Sequence, residues 1–143
     1  MTEVEAIENL RRGTDILSAV LAPHGFSRSP IKSGPSSGGM FASCEFARGD
    51  RRLQLHFRWS LGLVSYQVGV VTLSPEDYMW SVCGRWWATN YPGFSEDPLD
   101  GFRHLAKGLE EYGQDFLFNT DSEFVRNAER APTLKRTASR LPG

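Results

Sequence analysis

Alternation of apolar and polar side chains over residues 40–72 is the feature that most restricts the fold of this chain. Apolar residues recur at every second position, a spacing that places them on one face of a β-strand. Gly49-Asp50 interrupts the pattern and is typical of a two-residue hairpin turn. Leu61-Gly62 indicates a second tight turn. The segment therefore predicts an antiparallel β-meander of three strands.

Two-residue turns determine which residues face each other across these strands. One predicted face is apolar in four rows: Phe46/Leu53/Val70, Cys44/Leu55/Val68, Ala42/Phe57/Tyr66 and Met40/Trp59/Val64. The opposite face consists of Ala47/Arg52/Val71, Glu45/Gln54/Gly69, Ser43/His56/Gln67 and Phe41/Arg58/Ser65. A shift of one residue would mix the two sets, because neighbouring side chains point to opposite faces. We predict that the first face packs in a core and the second meets water or a partner.

Helical patterns lie on both sides of the meander. Thr2 and Glu5 fit a capping box, and Ser74-Pro75 and Asp97-Pro98 are typical helix starts. Four helices are expected, over residues 3–22, 74–88, 97–116 and 122–130. A short strand over residues 26–31 is expected at a sheet edge because it contains Pro30, and residues 34–39 are predicted to be a loop.

These elements predict an α+β fold. It is a two-layer sandwich in which an antiparallel meander of three to four strands carries helices on one face, in the order α-β-β-β-β-α-α-α. Residues 1–131 are predicted to form a single domain, and residues 132–143 a basic, flexible tail.

Composition and charge limit the classes of function. The chain of 143 residues is 40% apolar with a net charge of -1, which argues against nucleic acid as a partner. Its two cysteines, Cys44 and Cys83, are expected to be reduced. The N-terminus lacks a basic segment before an apolar run, and no apolar stretch is long enough to span a bilayer. We therefore predict a cytoplasmic protein without membrane contact.

The polar face holds the residue types of an acyl-transfer triad, Ser43, His56 and Glu45. An open sheet offers neither an oxyanion hole nor a closed pocket, so no catalytic residue is expected. The scattered histidines and the absence of CxxC spacing predict no metal site, and no motif indicates a cofactor. A face that docks on a protein or ligand is the more useful interpretation. Its candidate contact residues are Gln54, His56, Arg58 and Gln67.

Tryptophans supply a second group of candidates. Trp80 and Trp87 fall on a similar side of the predicted helix 74–88, whereas Trp86 points elsewhere, so one helix cannot readily bury all three rings. The first interpretation is a wide core with one half-exposed ring. The second is an aromatic hot spot for a partner protein or apolar ligand. Trp80 and Trp87 are therefore added to the candidate binding residues.

The segment 17–21, His24-Gly25-Phe26, the glycine-rich loop and the aromatic-rich meander resemble small uncharacterised bacterial domains. Some of those families resemble immunity proteins of bacterial toxin systems. The resemblance covers about the first half of the chain. It implies a small α+β domain, and no catalytic residues carry over from it.

Two functions follow as hypotheses. The first is a non-enzymatic binding domain that acts through protein–protein contact, of the immunity type, with a protein partner or a second copy of itself. The second is a small-molecule-binding domain or an undescribed enzyme, with a pocket between the meander and the Trp-rich helix. A closed apolar cavity with convergent polar groups would favour the second hypothesis, and a flat face buried in a complex would favour the first.

Overall fold

A computed structural model describes residues 2–36, 39–84 and 96–139, with the backbone alone for residue 36 and residues 134–139. In this part of the chain the strands are β1 (Ser27–Arg28), β2 (Lys32–Ser36), β3 (Gly39–Arg48), β4 (Arg51–Arg58), β5 (Ser60–Val68) and β6 (Val71–Leu73). The α-helices are α1 (Glu3–Leu21), α2 (Pro75–Cys83), α3 (Asp100–Tyr112), α4 (Gln114–Leu117) and α5 (Asp121–Ser139). The α+β class and the antiparallel sheet are confirmed, with six strands instead of three or four.

Helix α1 begins as its sequence predicts. Thr2 Oγ1 accepts a hydrogen bond from the amide of Glu5 at 3.1 Å, which satisfies one of the donors that a helix start leaves free. After α1, a short 3-10 helix (Ala22–His24) ends at Gly25, whose φ of 86° is the left-handed conformation that glycine adopts most easily. This turn directs the chain into β1.

The register predicted for the first hairpin is confirmed. Ala42 faces Phe57, Cys44 faces Leu55 and Phe46 faces Leu53 across β3 and β4. The pairing follows from the two-residue turn at Gly49-Asp50, because a fixed turn length leaves one register in which every apolar side chain reaches the core.

The register predicted for the second hairpin is wrong. Leu53 faces Tyr66 and Leu55 faces Val64, where Val70 and Val68 were expected. The turn is centred on Trp59, and the register shifts between His56 and Phe57, where a β-bulge accommodates one additional residue of β5. The apolar face survives the error, since Leu53 and Leu55 change partners by four residues, an even number that keeps Tyr66 and Val64 on their predicted face. Val71 is the exception: predicted on the polar face, it faces Val68 and packs against the core.

Two residues that were predicted in the core lie outside it. Trp59, predicted on the apolar face, is 58% exposed, and the buried Leu61 faces Phe57 instead. Val70 lies exposed in a two-residue turn between β5 and β6, where Gly69 has a φ of 60°. A left-handed glycine ends the pairing of β5 there, so the strand does not continue to Thr72 as expected.

The β1–β2 segment forms the sheet edge beside β3. Ser29 and Pro30 interrupt it, and Ser29 hydrogen-bonds to the backbone of Glu45 through its amide (2.8 Å) and its hydroxyl (2.9 Å). Pro30 thus lies at the predicted edge. Strand β2 occupies the first half of the predicted loop 34–39, with Pro35 opposite Met40, because an edge strand tolerates a residue that cannot donate. Two prolines make this edge a poor template for an added strand.

The helices cover the apolar face of the sheet. Stacked rings connect the two layers: Tyr66 with Tyr78 at 4.3 Å and Phe57 with Phe102 at 5.9 Å between centroids. Such pairs contribute about 0.5–1.5 kcal/mol each beyond the burial of their area. The core therefore lies between the sheet and the helical layer.

Three of the predicted helices differ in their bounds. Helix α2 ends at Cys83 instead of residue 88, because Gly84 adopts a left-handed cap with φ of 69°. The predicted helix 97–116 begins at Asp100 instead of Asp97 and is divided at Gly113 into α3 and α4. Helix α5 continues through Pro132 to Ser139 instead of ending near residue 130, and its buried residues Phe124, Ala128 and Ala131 anchor the part before the proline, which removes one backbone hydrogen bond. The division into one domain and a tail stays a prediction.

Arg51 connects the sheet to the helical layer from the apolar face. Its side chain, 6% exposed, donates to the carbonyl of Phe116 at 2.7 Å and to Asp121 Oδ1 at 2.9 Å. It also donates to the carbonyl of Asn119. One guanidinium therefore holds the connection between α4 and α5 against β4, since its fixed fork of donors can serve several acceptors at once.

Stability is expected to fall as the pH rises above about 9. Burial raises the pKa of the Cys44 thiol from 9.0 to about 11, and burial raises the pKa of Tyr78 well above 10.0. Above pH 9 the unfolded chain would lose these protons while the folded chain keeps them, so ionisation favours unfolding. The free energy of unfolding, measured by urea denaturation, should fall by about 1–2 kcal/mol between pH 7 and pH 11 because of Cys44.

The alanine variant of Cys44 provides the comparison. Cys44→Ala should flatten the part of the curve that begins near pH 9, and Tyr78→Phe the part above pH 10. Parallel pH curves for wild type and both variants would refute this account.

Candidate functional site

The outer face of the sheet, opposite the helices, is the candidate site. Side-chain alternation and strand pairing place these described residues on it: Lys32, Phe41, Ser43, Glu45, Arg52, Gln54, His56, Arg58, Leu63, Ser65 and Gln67. Helix α1 and the other described helices contact the opposite side, and none of them covers the outer face.

Two neighbouring rows of the outer face form what we term the polar band. One row crosses four strands through Lys32, Ser43, His56 and Leu63, and the other consists of Glu45, Gln54 and Ser65. A pocket of about 630 Å³ lies over this band and is also lined by Ser29 and Pro30 of the sheet edge. The interruption between β1 and β2 therefore turns a flat sheet into an open groove.

His56 lies in the groove with a different neighbour from the one predicted. Its ring stacks on Phe41, with centroids 5.0 Å apart and planes 19° from parallel. It faces Leu63 across β4 and β5, whereas the sequence predicted Gln67. The shift of register is the cause, because it moves every β5 partner of β4 along the strand.

Gln67 is consequently separate from His56. It faces Arg52 and Thr72, and its side-chain amide donates to the carbonyl of Gly69 at 3.0 Å. Gln54, His56 and Arg58 all remain on the outer face of β4, with Gln54 and His56 in the polar band. The structure thus groups two of the six candidate residues in one groove.

The triad reading of Ser43, His56 and Glu45 fits the geometry poorly. Ser43 and His56 face each other as predicted. The Glu45 carboxylate, however, accepts from Arg52 Nη1 at 2.5 Å, which is an ion pair and not the support that a catalytic imidazole needs. The band offers hydroxyl, amide, imidazole and ammonium groups around an open groove, an arrangement suited to recognition.

The predicted tryptophans do not lie in this groove. Trp80 belongs to α2 in the helical layer and is 8% exposed, and its indole N–H has no hydrogen-bond partner among the described residues. Helix α2 packs mainly against α5 and touches the sheet at β5 and β6. Trp87 lies outside the described residues, as do the other residues after Gly84 for which the sequence predicted a helix.

Trp59 is the residue that the sequence reasoning missed. It forms the tip of the β4–β5 hairpin with a φ of 66°, a conformation that is strained for a bulky residue. A Cβ at Gly39 would lie 4.0 Å from Trp59 Nε1, which places the indole beside the start of β3. Trp59 and Leu63 of this hairpin are both exposed large apolar side chains, at 58% and 71%. Gly62 was the available signal, since glycine inside a strand often marks a bulge.

The outer face is also more basic than the chain as a whole. Among its described residues, Lys32, Arg52 and Arg58 are cationic and Glu45 is anionic. The excess is two positive charges, three against one, whereas the whole chain has a net charge of -1. The face therefore has an electrostatic character of its own.

The rest of the described structure contains no stronger candidate site. No three His, Cys, Asp or Glu side chains of residues 2–36, 39–84 and 96–139 are arranged to hold a metal ion. No helix in these same ranges has the length and apolarity to cross a membrane. A second pocket, of about 310 Å³, lies between the end of α1 and the α3–α4 region and is lined by His24 and Phe118, whose rings stack at 5.7 Å.

Comparisons with known proteins leave the outer face as the main guide to function. No protein-family model, no curated protein and no solved structure matches this chain.

Proposed function

We propose that this chain is a non-enzymatic protein-binding domain that docks on its partner through the outer face. One observation carries the proposal: Leu63, 71% exposed, lines a polar groove on a sheet face that no described helix covers, and Trp59, 58% exposed, forms the tip of the same hairpin. Neighbouring large apolar side chains at the surface are typical of interaction sites, and tryptophan is enriched at their energetic centres.

The backbone of Trp59 supports this interpretation. A non-glycine residue held at positive φ costs about 1–3 kcal/mol, and such strain is concentrated at functional positions. Glycine or asparagine would occupy the same turn at lower cost. A large indole in this position is therefore better explained by contact with a binding partner than by a contribution to folding.

The β1–β2 edge of the sheet is poorly suited to strand addition, which favours docking on the outer face instead. Pro30 and Pro35 lie in the β1–β2 edge, where they reduce the number of amides that an incoming strand could bond. The outer face, in contrast, offers side chains from four strands. Side-chain contacts would then supply most of the partner's binding energy.

Substituting Trp59 should separate binding from folding. Trp59→Gly removes the indole and the strain together, so its melting temperature should equal or exceed that of wild type, and Trp59→Ala should be less stable by about 1 kcal/mol. Both variants should weaken partner binding by about tenfold or more. Thermal unfolding and affinity capture from an extract of the encoding organism, with quantitative mass spectrometry, measure the two effects.

A matched control comes from the helical side. Val4 and Phe118 are 75% and 57% exposed, close to the exposures of Leu63 and Trp59. Val4→Ser/Phe118→Ser should retain the proteins that wild type captures, and Trp59→Gly/Leu63→Ser should lose them. Capture of the same proteins by both double variants, or their equal loss from both, would contradict docking through the outer face.

The resemblance to immunity-like bacterial domains suggests one specific form of this function. The partner would then be a toxin, met in the cytoplasm, and its gene should lie next to the gene of this chain. Co-expression should restore the growth of cells that produce the toxin, and Trp59→Gly/Leu63→Ser should abolish that protection. Self-association is the other form, and sedimentation of wild type and the same variant would detect it.

Small-molecule binding is the second candidate function. The observation in its favour is the 630 Å³ pocket, which falls within the range of about 300–1,000 Å³ that ligand sites occupy. This pocket lies on the outer face, and not between the meander and the Trp-rich helix as the sequence suggested. A small ligand seated in the polar band should depend on Gln54 and His56 and be insensitive to Trp59→Gly, which distinguishes it from a docked protein.

A further inference from the structure

The charge distribution over the outer face restricts the chemistry of a partner. Three cationic side chains and one carboxylate belong to the described outer face. That carboxylate, Glu45, is already bonded to Arg52 at 2.5 Å, so its charge is compensated within the face. Lys32 lies exposed on the opposite side of the groove from Leu63, and Arg58 lies exposed next to Trp59 in the chain.

We propose that the outer face binds an acidic segment of a partner protein, in which a carboxylate side chain enters the polar band beside an apolar residue that packs on Leu63. The proposal rests on the docking function proposed above and adds the chemistry of the segment that is docked. Complementary charge speeds encounter and selects among partners, while the apolar contact holds the complex.

The polar band has the donors that a carboxylate requires. Lys32 contributes an ammonium group in the same row as the hydroxyl of Ser43, and the next row contributes the amide of Gln54. Charge-assisted hydrogen bonds from such donors are about twice as strong as neutral ones. Leu63 ends the first row at the far side of the groove. An acidic residue followed by an apolar residue therefore matches the order of groups across the sheet.

Protein fits this surface better than single-stranded nucleic acid. Nucleic-acid faces present aromatic rings on which bases stack. Here the ring of Phe41 is already stacked on His56, and the most exposed apolar group of the groove, Leu63, is aliphatic. The net charge of -1 would also repel a polyanion outside the outer face.

The test is a titration of the full-length ¹⁵N-labelled protein, followed by NMR, with a capped peptide of alternating glutamate and leucine. Amide shifts should concentrate at residues 32, 43, 54, 56, 63 and 65, and the affinity should exceed that for the same peptide with glutamine by tenfold or more. Raising the salt concentration should weaken binding, because screening shortens the reach of exposed charges. Lys32→Glu should abolish the shifts.

Lys107→Glu is the matched control for charge reversal. Lys107 lies on α3 in the helical layer, is exposed and is paired with Glu111 at 3.9 Å. This variant should bind the acidic peptide as wild type does, and circular dichroism of both variants should match wild type. Equal losses in the two variants would mean that net charge, and not the groove, governs binding, and would overturn the proposal.

Other outcomes would overturn it as well. These are equal affinity for the glutamine peptide, equally tight binding of free succinate, and tighter binding of oligouridine at the same residues. The two proposals can fail separately. If Trp59→Gly/Leu63→Ser selectively loses the captured proteins but wild type shows no preference for the acidic peptide, the acidic partner is refuted and docking through the outer face stands.

Discussion

Replacing Arg51 by alanine should lower the free energy of unfolding by about 3–5 kcal/mol, measured by urea denaturation. The guanidinium, 6% exposed, donates to the carbonyls of Phe116 and Asn119 and to the carboxylate of Asp121. Alanine would leave the two carbonyls without their charged donor and would open a cavity between β4 and the α4–α5 connection. Arg51→Lys should recover part of the loss, since an ammonium group cannot reproduce the fork geometry.

Arg52 is a matched control for this prediction because it is the next residue of the same strand and points to the outer face. Its ion pair with Glu45 joins side chains that are 43% and 26% exposed. Arg52→Ala should therefore cost less than about 1 kcal/mol. Loss of equal stability in both variants would show that charge on β4, and not the buried contacts of Arg51, holds the two layers together.

Replacing Gly13 by alanine should destabilise the protein by about 1–3 kcal/mol through overpacking. Helix propensity alone predicts the opposite, a gain of about 1 kcal/mol. A Cβ on Gly13 would lie 2.5 Å from Phe102 Cε2, because the ring packs directly on the backbone of α1 where α1 meets α3. The steric term is the larger one, since both helices are held by the core and cannot separate freely.

A double-mutant cycle tests the cause of this loss. Phe102→Leu should itself destabilise the core, but Gly13→Ala should cost much less when leucine replaces the ring. Arg12→Ala, at an exposed position of the same helix, should change stability by less than about 0.5 kcal/mol. A stabilising effect of Gly13→Ala in the wild-type background would show that propensity exceeds packing at this helix crossing.

The clarity of the turn signals decided which parts of the candidate site were predictable from the sequence. Gln54, His56 and Arg58 lie on the outer face as expected, because β3 and β4 are joined by a short turn with a clear signal. Gln67 lies two rows from its expected place, because a bulge in β5 and a turn at Trp59 altered the second register. Arg51 could have been found, since it alternates in phase with Leu53 and Leu55 and is therefore directed inward.

Local interactions explain what the sequence by itself determined: the helix start at Thr2, the first hairpin register and the division of the sheet into an apolar and a polar face. Each depends on residues close in the chain or on the period of one strand. Tertiary structure alone decided that Leu61, and not Trp59, enters the core, and that Gly13 receives the ring of Phe102. Those outcomes depend on the volume left between packed layers, a quantity that no local pattern encodes.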